Sequence, residues 1–160
     1  MSARVGMGFD VHPFLPAPDP QRPLVLAGVV FEGECGLAGH SDADVVAHAV
    51  ADALLGAAGL GDIGMHFPDT DPAWAGADSM RLLAQVVGLV HDAGWSIANV
   101  DCTVVLEAPK LAPRRDEMQR ALAAVVGADA TVKGKRAEGL GALGRREGVA
   151  CWAVGLLERP

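Results

Sequence analysis

Asp10 and His12 lie two positions apart in the segment Gly8-Phe9-Asp10-Val11-His12, and a second polar cluster, Gly39-His40-Ser41-Asp42, comes shortly before His48. In a β-strand, side chains two apart share a face, so Asp10 and His12 would aim at one point. His48 would approach from a helix. One carboxylate oxygen with two neutral imidazole nitrogens suits a borderline cation such as Zn²⁺. Three protein ligands leave a fourth position for substrate, which is the pattern of a catalytic rather than a structural ion. Gly6 and Gly8 strip side chains from the approach, as suits a strand whose alternate face lines a cavity.

The elements that must position these groups follow from pattern. Residues 4–11 read as a first strand, and residues 13–23, with five of the ten prolines, as an extended surface loop. Residues 24–37 read as a short hairpin. Ser41 or Asp42 would cap a helix running to about Gly59, with Val45, Val46, Ala49, Val50, Ala53 and Leu54 as its buried stripe. On that helix Asp44, His48 and Asp52 fall on one face, so either carboxylate would orient the histidine ring. Residues 59–72 are too rich in Gly, Pro and Asp for regular structure and too apolar at Ile63, Met65 and Phe67 for an idle linker, and read as a binding loop. A helix over 78–92, a strand over 95–107, a helix opened by Pro113 and ending near Val126, and strands at 131–133 and 148–157 complete the chain. The outcome is an α/β (α+β) sandwich: a mixed sheet of about four strands with helices on one face, plus the hairpin.

Composition sets the class. At 160 residues the chain reads as one domain, 1–160. Its hydrophobic fraction of 51% rests largely on 28 alanines, which with 20 glycines implies close backbone packing rather than aromatic filling. A net charge of -7 argues against nucleic acid, so any phosphate must meet local positive charge at Lys110, Lys133 to Arg136, Arg145 or Arg146. Cys35, Cys102 and Cys151 are scattered, which favours buried thiols in a reducing cytoplasm over a disulfide framework. No leader pattern and no apolar run of membrane-spanning length occurs, so a cytoplasmic protein is expected. The Gly-rich turn of a dinucleotide fold and the Gly-Lys-Ser/Thr of a P-loop are both missing. His66 reads as loop surface, His91 as helix surface, and Trp74, Trp95 and Trp152 as packing or subunit contacts.

The run Gly8 to Phe14, the motif Gly39-His40-Ser41-Asp42-Ala43-Asp44, Leu60-Gly61-Asp62-Ile63-Gly64 with Phe67-Pro68-Asp69-Thr70-Asp71-Pro72, Ala108-Pro109-Lys110, Glu138-Gly139-Leu140-Gly141 and Gly144-Arg145-Arg146-Glu147-Gly148 occur in order along the chain. In these motifs the sequence closely resembles the 2-C-methyl-D-erythritol 2,4-cyclodiphosphate synthase family of the non-mevalonate isoprenoid pathway, over essentially its whole length. The resemblance implies a homotrimer with sheets facing the three-fold axis and active sites between subunits. It implies Zn²⁺ on Asp10, His12 and His48, and Mg²⁺ or Mn²⁺ on Glu138 and the substrate phosphates. The implied substrate is 4-diphosphocytidyl-2-C-methyl-D-erythritol 2-phosphate, whose 2-phosphate attacks its own β-phosphorus and expels CMP. Nothing in the sequence pairs a nucleophile with a base, and intramolecular phosphoryl transfer needs only positioning and charge neutralisation.

By the same resemblance His40 and Ser41 contact the reacting phosphates, with His40 and Arg136 assigned to catalysis. Asp62, Ile63 and Gly64 hold the erythritol hydroxyls, and Phe67, Pro68, Asp69, Thr70 and Asp71 complete that loop. Leu106, Glu107, Ala108, Pro109, Lys110, Leu111 and Ala112 form the cytosine pocket, faced by Lys135, Arg136, Ala137 and Glu138. Ala142 and Arg145 close the set of substrate contacts, beside the metal ligands Asp10 and His12. Three features depart from the family pattern: Lys135, Arg136 and Ala137 stand where small hydroxyl residues are common, Ala142 where an aromatic is, and Arg146 where glycine is. Phe9, Arg145 and Glu147 match residues near the trimer axis, around a cavity for isoprenoid diphosphates. Two other functions share these residues: a non-catalytic zinc-bearing trimer that senses isoprenoid diphosphates, and a metal-dependent phosphohydrolase.

Overall fold

A computed structural model describes residues 2–159; Met1 and Pro160, the ends of the expected domain, lie outside the described residues. A four-stranded mixed sheet has the order β1-β6-β4-β5, made of β1 (Ser2–Pro13), β6 (Gly148–Arg159), β4 (Ser96–Val105) and β5 (Asp129–Lys135). A separate hairpin pairs β2 (Leu24–Leu26) with β3 (Val29–Phe31). The first and last strands pair antiparallel along their whole length, from Ser2 opposite Arg159 to Pro13 opposite Gly148. Strand β4 is antiparallel to β6 but parallel to β5, and the crossover that a parallel pair requires is supplied by helix α4 (Arg115–Val126). The ends of β1, β4 and β5 that carry functional candidates therefore lie at the same end of the sheet.

Helix α1 (Val45–Ala58) is the centre of the core. It packs on β1 and β6 on one side and α3 (Ser79–Asp92) on the other, and eleven of its residues are buried. A helix apolar almost all round is stable only when covered so completely. Val50, Leu54 and Leu55 are each fully buried, which contributes about 1.5–3 kcal/mol per side chain. Leu122 and Met118 of α4 and Leu83 and Val86 of α3 continue the same core.

The alternation along β1 divides it cleanly. Gly6, Gly8, Asp10 and His12 point towards α1, while Val5, Met7, Phe9 and Val11 point the other way and are exposed, Val5 at 68% and Met7 at 69%. Trp152 and Val154 of β6 extend this exposed apolar face, with the Phe9 and Trp152 rings 4.9 Å apart. Trp95, by contrast, is buried between the guanidiniums of Arg4 and Arg159. No described helix is long and apolar enough to cross a membrane. All three cysteines are free, and Cys102 and Cys151 are not scattered but adjacent on β4 and β6, where their mutual contact and burial hold the Cys151 thiol protonated.

The helix cap differs from expectation. Neither Ser41 nor Asp42 caps α1; Asp44 does, accepting from Val46 N at 3.1 Å and Ala47 N at 3.2 Å. The same carboxylate accepts from Ala27 N and Gly28 N, the two residues of the β2–β3 turn, whose φ values of 52° and 72° are both left-handed. Such a turn suits the twist of a hairpin but costs a non-glycine residue strain, which these bonds offset. Burial pushes the Asp44 carboxyl up to about 6, while the four N–H donors favour its anion.

Candidate metal centre

The glycines of β1 place the centre. A Cβ on Gly8 would lie 1.8 Å from the Ala49 carbonyl oxygen, and one on Gly6 1.9 Å from that of Ala53, so the backbones of β1 and α1 touch directly. The bare face meets helix backbone, not a cavity as expected from sequence. Close approach carries His48, one residue before Ala49, onto Asp10. Asp10 Oδ2 is 3.0 Å from His12 Nε2 and 3.0 Å from His48 Nδ1, and the two nitrogens are 3.4 Å apart. A tetrahedral ion with bonds near 2 Å separates its ligand atoms by roughly 3.3 Å. The donor set and its spacing fit a divalent metal.

The remaining ring nitrogens are fixed. His12 donates Nδ1–H to the Ala38 carbonyl at 2.8 Å, so in the neutral ring Nε2 holds the lone pair an ion would take, while in the protonated ring Nε2–H donates to Asp10. His48 Nε2 is 2.9 Å from the Ser79 hydroxyl and 3.1 Å from that of Ser41. Asp44 and Asp52, expected to orient His48, do neither: Asp44 is consumed as a cap, and Asp52 accepts the backbone N–H of Ile63 at 2.7 Å. Burial opposes ionisation of Asp10, but hydrogen bonds from His12 and His48 outweigh it and hold the carboxyl well below the usual range. Its bond to Asp10 raises the His12 pKa above the ordinary value, against burial.

Two residues missed in the sequence support the site. Arg22 brings one guanidinium nitrogen to the carbonyls of Leu37, Gly39 and Ser41, between 2.9 and 3.1 Å, and so clamps the loop beside His12. Ser79, at the start of α3, meets His48 from across the core. An isolated arginine in a proline-rich loop and a serine behind an Asp cap carry no motif. Gly39 is required sterically, since a Cβ there would lie 2.8 Å from Ala43 Cβ and 3.0 Å from His12 Cε1.

The centre forms one wall of a cavity of about 450 Å³. Asp10, His12, His40, Ser41, His48, Ile63, Gly64, Phe67, Pro68 and Asp69 all line it, joined by Gly39, Trp74 and Leu82. Ser41 is buried, with its hydroxyl turned to His48 and Ser79. The presumed irregular loop holds a single helical turn, α2 (Ile63–His66), capped by Asp62, whose Oδ1 accepts from Met65 N at 3.0 Å. Asp71 caps a further turn at Ala73 N, and its carbonyl accepts from His40 Nε2–H at 3.0 Å. Asp62, Thr70 and Asp71 are not on the cavity lining. His66 is half-buried rather than loop surface, because it bonds the Leu60 carbonyl at 2.8 Å. His91 is exposed.

The cationic candidates gather elsewhere. Leu106, Glu107, Pro109, Lys110, Leu111, Ala112, Lys135 and Arg136 line a second cavity of about 220 Å³ with Arg115 and Gly134. It shares no residue with the first. Strand β6 separates β1 from β4, so the two lie at least two strand spacings apart, roughly 10 Å. Glu107 accepts from Arg136 at 3.1 and 3.2 Å and from Gly139 N at 3.3 Å, and these bonds, the Gly139 one first, lower its pKa. Glu138, between them, adopts a left-handed φ of 54° and stands outside both cavities with Ala137. Ala142 belongs to a short turn, α5 (Gly141–Gly144), and Arg145 pairs with Glu147 at 2.7 Å.

The chain is 50% identical over 161 residues to the 2-C-methyl-D-erythritol 2,4-cyclodiphosphate synthase of Thermosynechococcus vestitus, with 99% of this chain and 98% of that protein covered. Among solved structures, the bifunctional IspDF of Campylobacter jejuni superposes with a TM-score of 0.92 at 41% identity, over 99% of this chain and 43% of that one. The Plasmodium falciparum IspF in a CDP complex superposes with a TM-score of 0.84 at 31% identity, over 99% of this chain and 97% of that one. A model of the YgbB family matches residues 3–158, and the chain belongs to that family.

Proposed function

We propose that the chain converts 4-diphosphocytidyl-2-C-methyl-D-erythritol 2-phosphate to 2-C-methyl-D-erythritol 2,4-cyclodiphosphate and CMP, as a phosphorus-oxygen lyase of isoprenoid precursor biosynthesis in the cytoplasm. The observation that carries this is the convergence of Asp10, His12 and His48 on the wall of the 450 Å³ cavity, in a chain half identical to a synthase of that name. In the reaction an oxygen of the 2-phosphate bonds to the β-phosphorus. The bond from that phosphorus to the bridging oxygen breaks, and the bridging oxygen leaves within CMP. No protein nucleophile is required, so the task of the chain is to hold both ends in line.

Asp10, His12 and His48 would hold Zn²⁺ and Glu138 would hold Mg²⁺ or Mn²⁺, and such ions would neutralise charge on the diphosphate. His40, anchored through Nε2 to the Asp71 carbonyl, would hold a reacting phosphate oxygen through its other ring nitrogen. Ile63 and Gly64 line the cavity beside Phe67, and with Asp62 would hold the erythritol hydroxyls. Lys110, Lys135 and Arg136 would hold the cytidine diphosphate. Here the common hydroxyl residues are replaced by charge, so the phosphate contact at Arg136 is ionic.

Two cavities that share no residue, at one end of the sheet but towards its opposite edges, favour a site completed by a neighbouring copy. We place the chain in a homotrimer in which the exposed face of Val5, Met7, Phe9, Val11, Trp152 and Val154 is turned inward, with a binding place for an isoprenoid diphosphate near the axis. Incubation with substrate, followed by ³¹P NMR, tests the reaction: CMP and the cyclic diphosphate appear in equal amounts and only with divalent metal. An acyclic product, or ¹⁸O taken up from solvent into the product, overturns the reading in favour of hydrolysis.

A further inference from the structure

The hydroxyl of Ser79 stands between His48 and a carboxylate that no binding role uses. Ser79 is 1% exposed, and its Oγ lies 2.9 Å from His48 Nε2 and hydrogen-bonded to Asp42 Oδ1. Asp42 Oδ2 accepts the Ser79 backbone N–H at 3.2 Å, and Oδ1 also accepts from Asp44 N at 3.1 Å. Both carboxylate oxygens are therefore engaged.

One bond in this chain has a forced direction. An ionised carboxylate only accepts, so the Ser79 hydroxyl must give its one proton to Asp42. Towards His48, Ser79 Oγ is then an acceptor. The Ser41 Oγ, which accepts from Ala43 N at 3.1 Å, lies farther off, 3.1 Å from His48 Nε2 and 3.2 Å from Ser79 Oγ, so Ser79 is the nearer partner of the ring. A bond to Ser79 Oγ therefore needs hydrogen on His48 Nε2, which frees Nδ1, the nitrogen 3.0 Å from Asp10 Oδ2, to be the one that would bind an ion. His12 reaches the same state through the opposite nitrogen, by donating Nδ1–H to a carbonyl.

We infer that Ser79 and Asp42 are positioning residues of the metal centre: Asp42 fixes the polarity of the Ser79 hydroxyl, and Ser79 fixes the tautomer and ring plane of His48. Outer partners of this kind are worth about 10–100-fold in metal affinity. The arrangement also ties the start of α3 to the segment just before α1, so both helices hold one ligand.

Two measurements on the full chain test this. In wild-type protein loaded with Zn²⁺, ¹⁵N NMR of the imidazoles shows His48 protonated at Nε2; protonation at Nδ1 instead overturns the inference without need of any variant. Competition with a chelator then gives the Zn²⁺ affinity. Ser79→Ala lowers it about 10–100-fold and populates both His48 tautomers. Asp42→Asn, which cannot accept at both positions, does the same if Ser79→Ala fails to fold. Unchanged affinity and tautomer in a folded variant, or a wild-type protein that binds no divalent ion, overturns the inference. Both readouts are independent of turnover, so a failure of the cyclisation reading leaves them decisive.

Discussion

The two cavities handle charge in opposite ways. Around Asp10, His12 and His48, each ring nitrogen and each nearby hydroxyl has a fixed partner, and half-burial makes those partners count. Around Lys110, Lys135 and Arg136 the cations are exposed, and the ties are a bond from Gly139 N to Glu107 and an ion pair from Glu107 to an Arg136 side chain that is 65% exposed. The first region is preorganised by packing, the second by one carboxylate that a backbone N–H and an exposed guanidinium share. The difference teaches where each change will be felt: in the first region on the centre itself and on folding, in the second on ligand affinity alone.

His48→Ala breaks the comparison hardest. Lewis-acid stabilisation is worth several kcal/mol, so turnover falls about a thousand-fold, with loss of the ion by metal analysis. Next comes Gly8→Ala, whose Cβ must push α1 away from β1. We expect a loss of about 1–3 kcal/mol in urea unfolding, together with weaker metal binding, because the same shift moves His48 from Asp10. Arg136→Ala should act on the other side alone: a roughly tenfold rise in KM for the cytidine substrate, equivalent to about 1.4 kcal/mol, with metal content and Tm unchanged. A fall in Tm would show that the Glu107 pair holds more of the fold than an exposed ion pair normally does.

The smallest effect is a pH dependence confined to the first region. In chelator-treated protein His12 has its pKa raised above 6.5, so its contribution to stability is complete below pH 6.5 and fades as pH rises through the folded value. Asp10 is shifted down from 3.8, so its contribution is present above pH 3.8 and is lost as pH falls through its lower folded value. Urea unfolding should show the cluster strongest between those limits. Added metal reverses the His12 limb, since the ion requires the deprotonated ring. A flat profile in both conditions would deny the coupling between Asp10 and His12.

The strands, the main helices and the three metal-binding side chains were legible because periodicity and two-residue spacing are local signals. Asp10 and His12 share a face whatever surrounds them. What stayed hidden depends on partners distant in sequence. Asp44 looked like a histidine partner because helix spacing places it one turn away, yet a hairpin turn 16 and 17 residues earlier claims its carboxylate. Ser79 and Arg22 act on His48 and on the Gly39 loop from 31 and 17 residues away, and only the fold brings them there. Gly6 and Gly8 were read as clearing space, whereas in the fold they remove it.

Strand β1 carries ion-binding side chains on one face and an uncovered apolar row on the other, and a pleated strand keeps these apart only by parity. Deleting or inserting one residue between Gly6 and Asp10 would exchange them, presenting Phe9 and Val11 to His48 and turning Asp10 and His12 outwards. Loading with metal thus serves as a checksum on folding: a chain that takes up its ion has also paired its first and last strands in the correct frame.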